Sequence, residues 1–159
     1  MKSRILYIQL IGLLTLLSYI LYLPKINKKR IMVDMPNTLG KFSLISVAIA
    51  ISSYLYIIYY MYNFEKYKHI FYRICIFVAL FLLFSSFWAT SLYYKWNIIT
   101  ISSLFLVAIC SIGILYTLYH NNDILLKICT LYLVFHTLFI DGILWNYYFI
   151  KRIRTKFSK

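Results

Sequence analysis

The 159-residue chain is 63% hydrophobic and only 13% charged, yet it carries a formal net charge of +13. So few polar residues cannot cover the surface of a water-soluble domain of this length. A soluble globular class is therefore excluded, and lipid is the expected solvent for most of the chain.

Five apolar runs follow one another along the chain, and each is long enough to cross a hydrocarbon core about 30 Å thick as a helix. They are residues 5–23, 42–62, 71–93, 98–119 and 124–150. None of them alternates polar and apolar residues as a barrel strand does. We therefore predict an all-α polytopic membrane protein, a single-domain compact bundle of five transmembrane helices with a basic tail at 151–159.

The longest connection, Pro24 to Lys41, contains both prolines and Gly40. Pro36-Asn37 is typical of a turn. Two further interpretations stay open for this segment: a short interfacial helix, or a lid over a ligand site.

The distribution of Lys and Arg predicts the orientation, because cytoplasmic connections carry the excess of both. One side holds eleven of the seventeen: Lys25, Lys28, Lys29, Arg30, Lys41, Lys95, Lys151, Arg152, Arg154, Lys156 and Lys159. The other side holds six: Lys2, Arg4, Lys66, Lys68, Arg73 and Lys127. We expect an N-terminus outside and a C-terminus in the cytoplasm, in a cell or inner membrane.

The strong positive charge indicates contact with anionic lipid headgroups, since most of it lies beside membrane-spanning runs. The residues expected at the headgroups are Lys28, Lys29, Arg30, Lys151, Arg152 and Arg154. Nucleic acid is disfavoured as a partner, because these basic stretches are short and carry no recognisable binding fold.

Cys75, Cys110 and Cys129 fall in three different runs without a Cys-x-x-Cys motif. This spacing predicts neither a redox pair nor a metal site. Pairs of small residues such as Ser46-x-x-x-Ala50 indicate close packing between helices rather than chemistry.

The fifth run alone combines Lys127, His136 and Asp141. Lys127 is near an end and can snorkel to the surface. An ionised carboxylate at the depth of Asp141 costs a few kcal/mol unless it faces the bundle, pairs or is protonated. At about 100° per residue, five positions separate His136 from Asp141 by about 140°, so we predict that they do not form a direct pair.

One stripe of the same run carries Thr130, Val134, Thr137, Asp141 and Trp145. Its polar groups are expected to hydrogen-bond to Ser85, Ser86 or Ser103 on neighbouring helices. We predict a ligand- or partner-binding site that includes Asp141, His136, Thr137 and Trp145. No paired-carboxylate or nucleophile motif accompanies it, so no catalytic residue, cofactor or enzymatic activity is expected.

The stretch Phe87-Trp88-Ala89-Thr90-Ser91-Leu92-Tyr93-Tyr94 resembles a third-helix motif of the tryptophan-rich sensory and translocator-protein family. Leu131-Tyr132-Leu133 lies near the position of that family's Pro-Tyr-Leu, with Leu131 in place of the proline. The resemblance implies five helices that bind a porphyrin or a sterol, and it adds Trp88 to the candidate site.

The chain is also similar, in its Tyr, Ile, Phe and Lys usage and its short loops, to the small basic membrane proteins of the bacteriocin-immunity type. The function expected from the sequence is recognition of another membrane protein, a second copy of the chain, or a small apolar ligand within the bilayer. A small ion or proton transporter is the remaining alternative, and it requires several ionisable groups along one path.

Overall fold

The computed structural model describes residues 2–27, 31, 33, 35–63 and 68–157. All elements within these residues are helical: α1 Lys2–Tyr22, α2 Asn37–Asn63, α3 Lys68–Tyr94, α4 Asn97–Leu118, α5 Ile124–Phe135 and α6 Asn146–Phe157. A ten-residue π-helix, His136–Trp145, joins α5 to α6 without a break. The predicted all-α class is confirmed.

Four helical stretches are long and apolar enough to cross a membrane: Asn37–Met61, Tyr72–Tyr94, Asn97–Leu118 and Ile124–Thr155. A fifth apolar helical stretch, Leu10–Lys25, is shorter. The chain is rich in Ile and Tyr, which favour strands in water, but a helix satisfies every backbone hydrogen bond within its own segment.

The ends of the helices have local causes. Lys95 adopts a left-handed conformation with φ 65°, and the amide of Trp96 donates to the Ser91 carbonyl over 2.9 Å, which together close the C-terminus of α3. Asp123 caps α5 by accepting a hydrogen bond of 3.0 Å from the amide of Leu126. These compact ends leave only short connections, so consecutive helices α3, α4 and α5 are antiparallel neighbours.

The bundle has a definite packing order. Helix α3 lies between α1 and α4, and α4 packs on α5 and on the π-helix. Helix α2 packs on the other side of α5 and the π-helix, whereas α1 and α2 scarcely touch each other over the described residues. The π-helix therefore faces the interior, between α4 and α2.

The connection before α2 folds back over one end of the bundle. Ile26 and Val33 are buried against Trp145 and Phe149, and the indole Nε1 of Trp145 donates to the Ile31 carbonyl over 2.8 Å. The described residues of this connection, which we call the lid, thus cover one end of the bundle. Lys28, Lys29 and Arg30, the residues expected at the headgroups, lie outside the described residues.

Candidate functional site

The centre of the bundle is built around an unusual backbone. π-helices occur mostly as single turns and often at functional sites, whereas His136–Trp145 extends over ten residues. Gly142 relieves crowding in this winding, because a Cβ at this position would lie 3.1 Å from the Thr137 carbonyl oxygen, which is tighter than an ordinary contact. The glycine thus gives room for a carbonyl five residues earlier in the chain.

The π-helix brings His136 and Asp141 together. Their side chains meet with Nε2 of His136 3.4 Å from Oδ2 of Asp141. The prediction that the two diverge by about 140° was wrong, because it assumed α-helical winding. In a π-helix residue i pairs with residue i+5, so positions five apart stand one above the other.

The other ring nitrogen of His136 also has a partner. Ser46 of α2 places its Oγ 2.8 Å from Nδ1, and the hydroxyl of Tyr132 donates to the same Oγ over 3.0 Å. With Nε2–H donating to Asp141, Nδ1 accepts from Ser46 and Ser46 accepts from Tyr132. In this arrangement each hydroxyl donates to the next group along the series from Tyr132 to Asp141, and both ring nitrogens of His136 have a hydrogen-bond partner.

The two members of the ionisable pair differ in burial. The His136 side chain is 6% exposed, but that of Asp141 is 26% exposed. Helix α1 contributes Tyr19, which has Ser85 of α3 as its hydrogen-bonding partner and lies within electrostatic reach of Asp141. Asp141 therefore has two polar neighbours, His136 of its own helix and Tyr19 of α1, while one part of its side chain stays open.

The remaining candidates lie around this pair rather than within it. Thr137 shares a 2.7 Å hydrogen bond with Ser111 of α4, instead of the expected Ser85, Ser86 or Ser103. Trp145 binds the connection before α2, as described above. Trp88 meets the ring of Trp145 edge-on with centroids 5.8 Å apart, so these two candidates are in contact.

Two buried polar atoms near the lid end have no partner among the described residues: Nε1 of Trp88 and Oδ1 of Asn146. The Asn146 side chain is 2% exposed, and its Nδ2 donates to the Gly142 carbonyl over 3.0 Å. Buried groups of this kind commonly hold an internal water or a polar group of a ligand.

Ser46 and Tyr132 are the site residues that the sequence analysis missed. Ser46 was interpreted only as a small packing residue, and 90 positions separate it from His136. No local pattern joins residues this far apart. The sequence offered one indirect signal: a buried histidine needs a hydrogen-bond partner for each of its two ring nitrogens.

The order Ser46, His136, Asp141 is that of a hydrolase triad, but its surroundings differ. The Ser46 side chain is 1% exposed and its oxygen already accepts from Tyr132. A substrate does not reach this oxygen in the present conformation, so the arrangement favours sharing of protons over nucleophilic attack.

The three cysteines form no disulfide within the described residues, and no cluster of potential metal ligands occurs there either. Helix α6 carries Lys151, Arg152 and Arg154 near the end of the stretch Ile124–Thr155, where Lys151 and Arg154 are exposed and Arg152 is half-buried. Such a basic helix end has the chemistry to contact anionic headgroups.

Comparison with known proteins finds no matching family model, curated protein or solved structure. The likeness to the translocator-protein family therefore depends on the five-helix layout and on the stretches 87–94 and 131–133.

Proposed function

We propose that the chain is an integral protein of the cell membrane with five spans, its N-terminus outside and its C-terminus in the cytoplasm. Four helices have the length and apolarity of spans. Helix α1 supports a fifth, because its 21 residues extend about 30 Å at about 1.5 Å per residue. The cytoplasmic side in this arrangement carries the greater share of Lys and Arg.

Within this bundle, we propose a non-enzymatic recognition function: binding of a small, mostly apolar ligand whose one cationic or hydrogen-bond-donating group reaches Asp141. The observation that carries the proposal is the unequal burial of the pair. His136 is held on both sides, whereas the carboxylate of Asp141 keeps an open part at 26% exposure. A carboxylate inside the membrane that lacks some of its hydrogen-bond partners is stabilised when a ligand brings a donor to it.

In this proposal a ligand reaches Asp141 from the lipid between α1 and α2, which scarcely touch each other over the described residues. The lid residues Ile26 and Val33 cover the bundle end next to Trp145. A ligand dissolved in the bilayer would therefore arrive laterally. A porphyrin or sterol of the translocator-protein kind, and a target of the immunity-protein kind, both fit this lateral access.

The test compares small molecules and proteins that co-purify with the tagged wild type, Asp141→Asn and Asp123→Asn in mild detergent, identified by mass spectrometry. Asp123→Asn is the matched control, since asparagine also caps helices well. We expect a small molecule that the wild type and the control retain and Asp141→Asn loses.

Identical small molecules in all three preparations would contradict ligand binding at Asp141. A stoichiometric membrane protein that is lost only with Asp141→Asn would instead show recognition of a protein partner. Folding of the variants is checked by gel filtration, so that loss of a ligand is not confused with loss of the bundle.

A further inference from the structure

Polar contacts recur along the whole interface between α2 and α5, which is otherwise apolar. From the Asp123 end inward, the pairs are Tyr60 with Asn121, Tyr56 with Asp123, Ser53 with Cys129, and Ser46 with Tyr132. The four α2 members are spaced by three to seven residues, which places them on one face of the helix. We name this set of pairs the polar seam.

The polar seam passes directly through the hydrophobic core. Ile57, Leu126 and Leu133 are completely or almost completely buried in the same interface. Burying hydroxyl groups there stabilises the bundle less than apolar packing of equal volume would, because each must first lose its hydration. A row of them at the centre of an apolar interface therefore indicates a function that needs exchangeable protons.

The outer end of the polar seam is accessible and its inner end reaches the ionisable pair. Tyr56 donates to Oδ2 of Asp123 over 3.3 Å in a partly buried setting at the mouth of the bundle. At the inner end, Tyr132 and Ser46 lead to Nδ1 of His136. Cys129 and Tyr132 lie three positions apart, about 4.5 Å along the helix axis. A path along the polar seam needs waters across this step and across the longer one from Asp123 to Cys129.

Polar groups continue beyond Asp141 toward the lid. Tyr19 lies within electrostatic reach of the carboxylate and has Ser85 as a hydrogen-bond partner, and the ring of Trp88 lies edge-on to Tyr19 with centroids 6.2 Å apart. The unpartnered Nε1 of Trp88 and Oδ1 of Asn146 lie in this half of the bundle. Both are buried atoms that an internal water would satisfy.

We propose that the polar seam, the His136–Asp141 pair and the Tyr19–Ser85 group form a proton path through the bundle, with Asp141 as its central acceptor. This activity goes beyond ligand binding and does not depend on it. Chains of Asp, His and hydroxyl groups inside a membrane are the arrangement that proton relays use.

The inward transfer conserves protons at every step. A proton arriving at the Tyr132 oxygen displaces the hydroxyl proton of Tyr132 to Ser46, and Ser46 passes its own proton to Nδ1 of His136. The Nε2 proton of His136 then moves to Asp141. One proton has been transferred, the carboxylate has become a carboxylic acid, and the imidazole has changed tautomer.

Each element around the pair contributes a defined group to this path. The titratable neighbours are Tyr132 on α5 and Tyr19 on α1. Helices α2 and α3 present Ser46 and Ser85, and the nearest polar group of α4, Ser111, is bonded to Thr137. Among the described residues, these contacts include hydroxyl groups, the imidazole and the carboxylate, all of which can pass a proton.

The experiment measures proton uptake into liposomes that contain a pH-sensitive dye and purified protein, driven by a potassium gradient with valinomycin. The wild type is compared with Ser46→Ala, Tyr132→Phe and Asp141→Asn. Ser52→Ala is the matched control, because Ser52 is exposed on the same helix and bonds only to the Ala48 carbonyl. We expect wild type and control to conduct equally, and each of the other variants to conduct about tenfold less or lower still.

Wild-type flux no greater than that of protein-free liposomes would overturn the proposal. Loss of flux in Asp141→Asn with full flux in both Ser46→Ala and Tyr132→Phe would overturn the route through the polar seam. Tyr132→Phe keeps the aromatic ring, so it remains a valid test if Ser46→Ala does not fold. Because no ligand is added, a failure here leaves the co-purification result of the proposed function unaffected.

Discussion

Nε2 of His136 lies 3.4 Å from Oδ2 of Asp141, five residues farther along the same helix. This contact requires the π-helix, since α-helical winding would turn the two side chains to different sides. The winding thereby turns two isolated polar residues into one site and connects it to Ser46 on another helix. The account of function depends on this local departure from regular helix geometry.

Replacing Gly142 with alanine should destabilise the π-helix. The new Cβ would lie 3.1 Å from the Thr137 carbonyl oxygen, a backbone atom that the helix holds in place. We expect a lower unfolding temperature in detergent and a free energy of unfolding reduced by about 1–3 kcal/mol.

Gly12→Ala is the control for this substitution, because its Cβ would make an ordinary contact of 3.7 Å with Cδ1 of Leu82. At Gly12 the higher helix propensity of alanine should decide the outcome and raise the free energy of unfolding by about 0.5–1 kcal/mol. Equal effects of the two substitutions would contradict the proposed role of Gly142.

Thr137→Val should weaken the contact between the π-helix and α4. The substitution keeps the shape of the side chain but removes the hydroxyl that bonds Ser111 over 2.7 Å. A loss of about 0.5–1.5 kcal/mol is expected, measured by denaturation in micelles. Thr90→Val provides the comparison, since the Thr90 hydroxyl bonds only to the Ser86 carbonyl of its own helix. If Thr90→Val loses as much unfolding free energy as Thr137→Val, the hydrogen bond between Thr137 and Ser111 does not stabilise the bundle.

Trp145→Phe should loosen the lid. The Trp145 indole is the donor that holds the Ile31 carbonyl, while its ring stacks on Phe149 at 4.7 Å. Phenylalanine retains the stacking and loses the hydrogen bond, so we expect faster amide exchange at Ile31 and Val33 with little change elsewhere. Trp96→Phe, at a half-exposed indole stacked on Tyr94, should leave exchange at both positions unchanged. Unaltered exchange in Trp145→Phe would refute this role of the indole.

The basic end of α6 should bind anionic lipid. Replacing Lys151, Arg152 and Arg154 together with glutamine should reduce the number of phosphatidylglycerol molecules retained in native mass spectrometry, because each cation near a headgroup contributes about 1 kcal/mol. Lys127→Gln, near the opposite end of the same long helix, is the single-charge comparison. Equal lipid retention by the triple variant and the wild type would place α6 away from the headgroups.

Most of the helical framework was predictable, because the length of an apolar run is a direct consequence of bilayer thickness. The ends of the helices were less predictable from the sequence. Helix α2 begins at Asn37, five residues before the predicted run at 42, since polar residues after Pro36 continue the helix beyond the apolar part. The lid contact between Trp145 and Ile31 spans 114 positions and leaves no periodic signal.

The candidate site was predicted only in its individual residues. Asp141 and His136 were identified because ionisable groups are costly inside a membrane. Their contact was missed because hydrophobic periodicity carries no sign of a change from α to π winding. Gly142, next to Asp141, indicated that the helix could change its geometry here. A glycine is compatible with several kinds of bend, however, and does not predict which of them forms.

The central claim, that π winding joins His136 to Asp141, is tested most directly by a double-mutant cycle on the free energy of unfolding in micelles. The cycle uses His136→Ala, Asp141→Ala and the double variant, with His136→Ala and Thr117→Ala as a control pair, because the Thr117 hydroxyl bonds to the Gly113 carbonyl of its own helix. The account predicts a coupling of about 1–3 kcal/mol for the first pair and additivity within about 0.5 kcal/mol for the second. Additive effects of His136→Ala and Asp141→Ala would mean that the two side chains do not meet, and would contradict the site proposed for this protein.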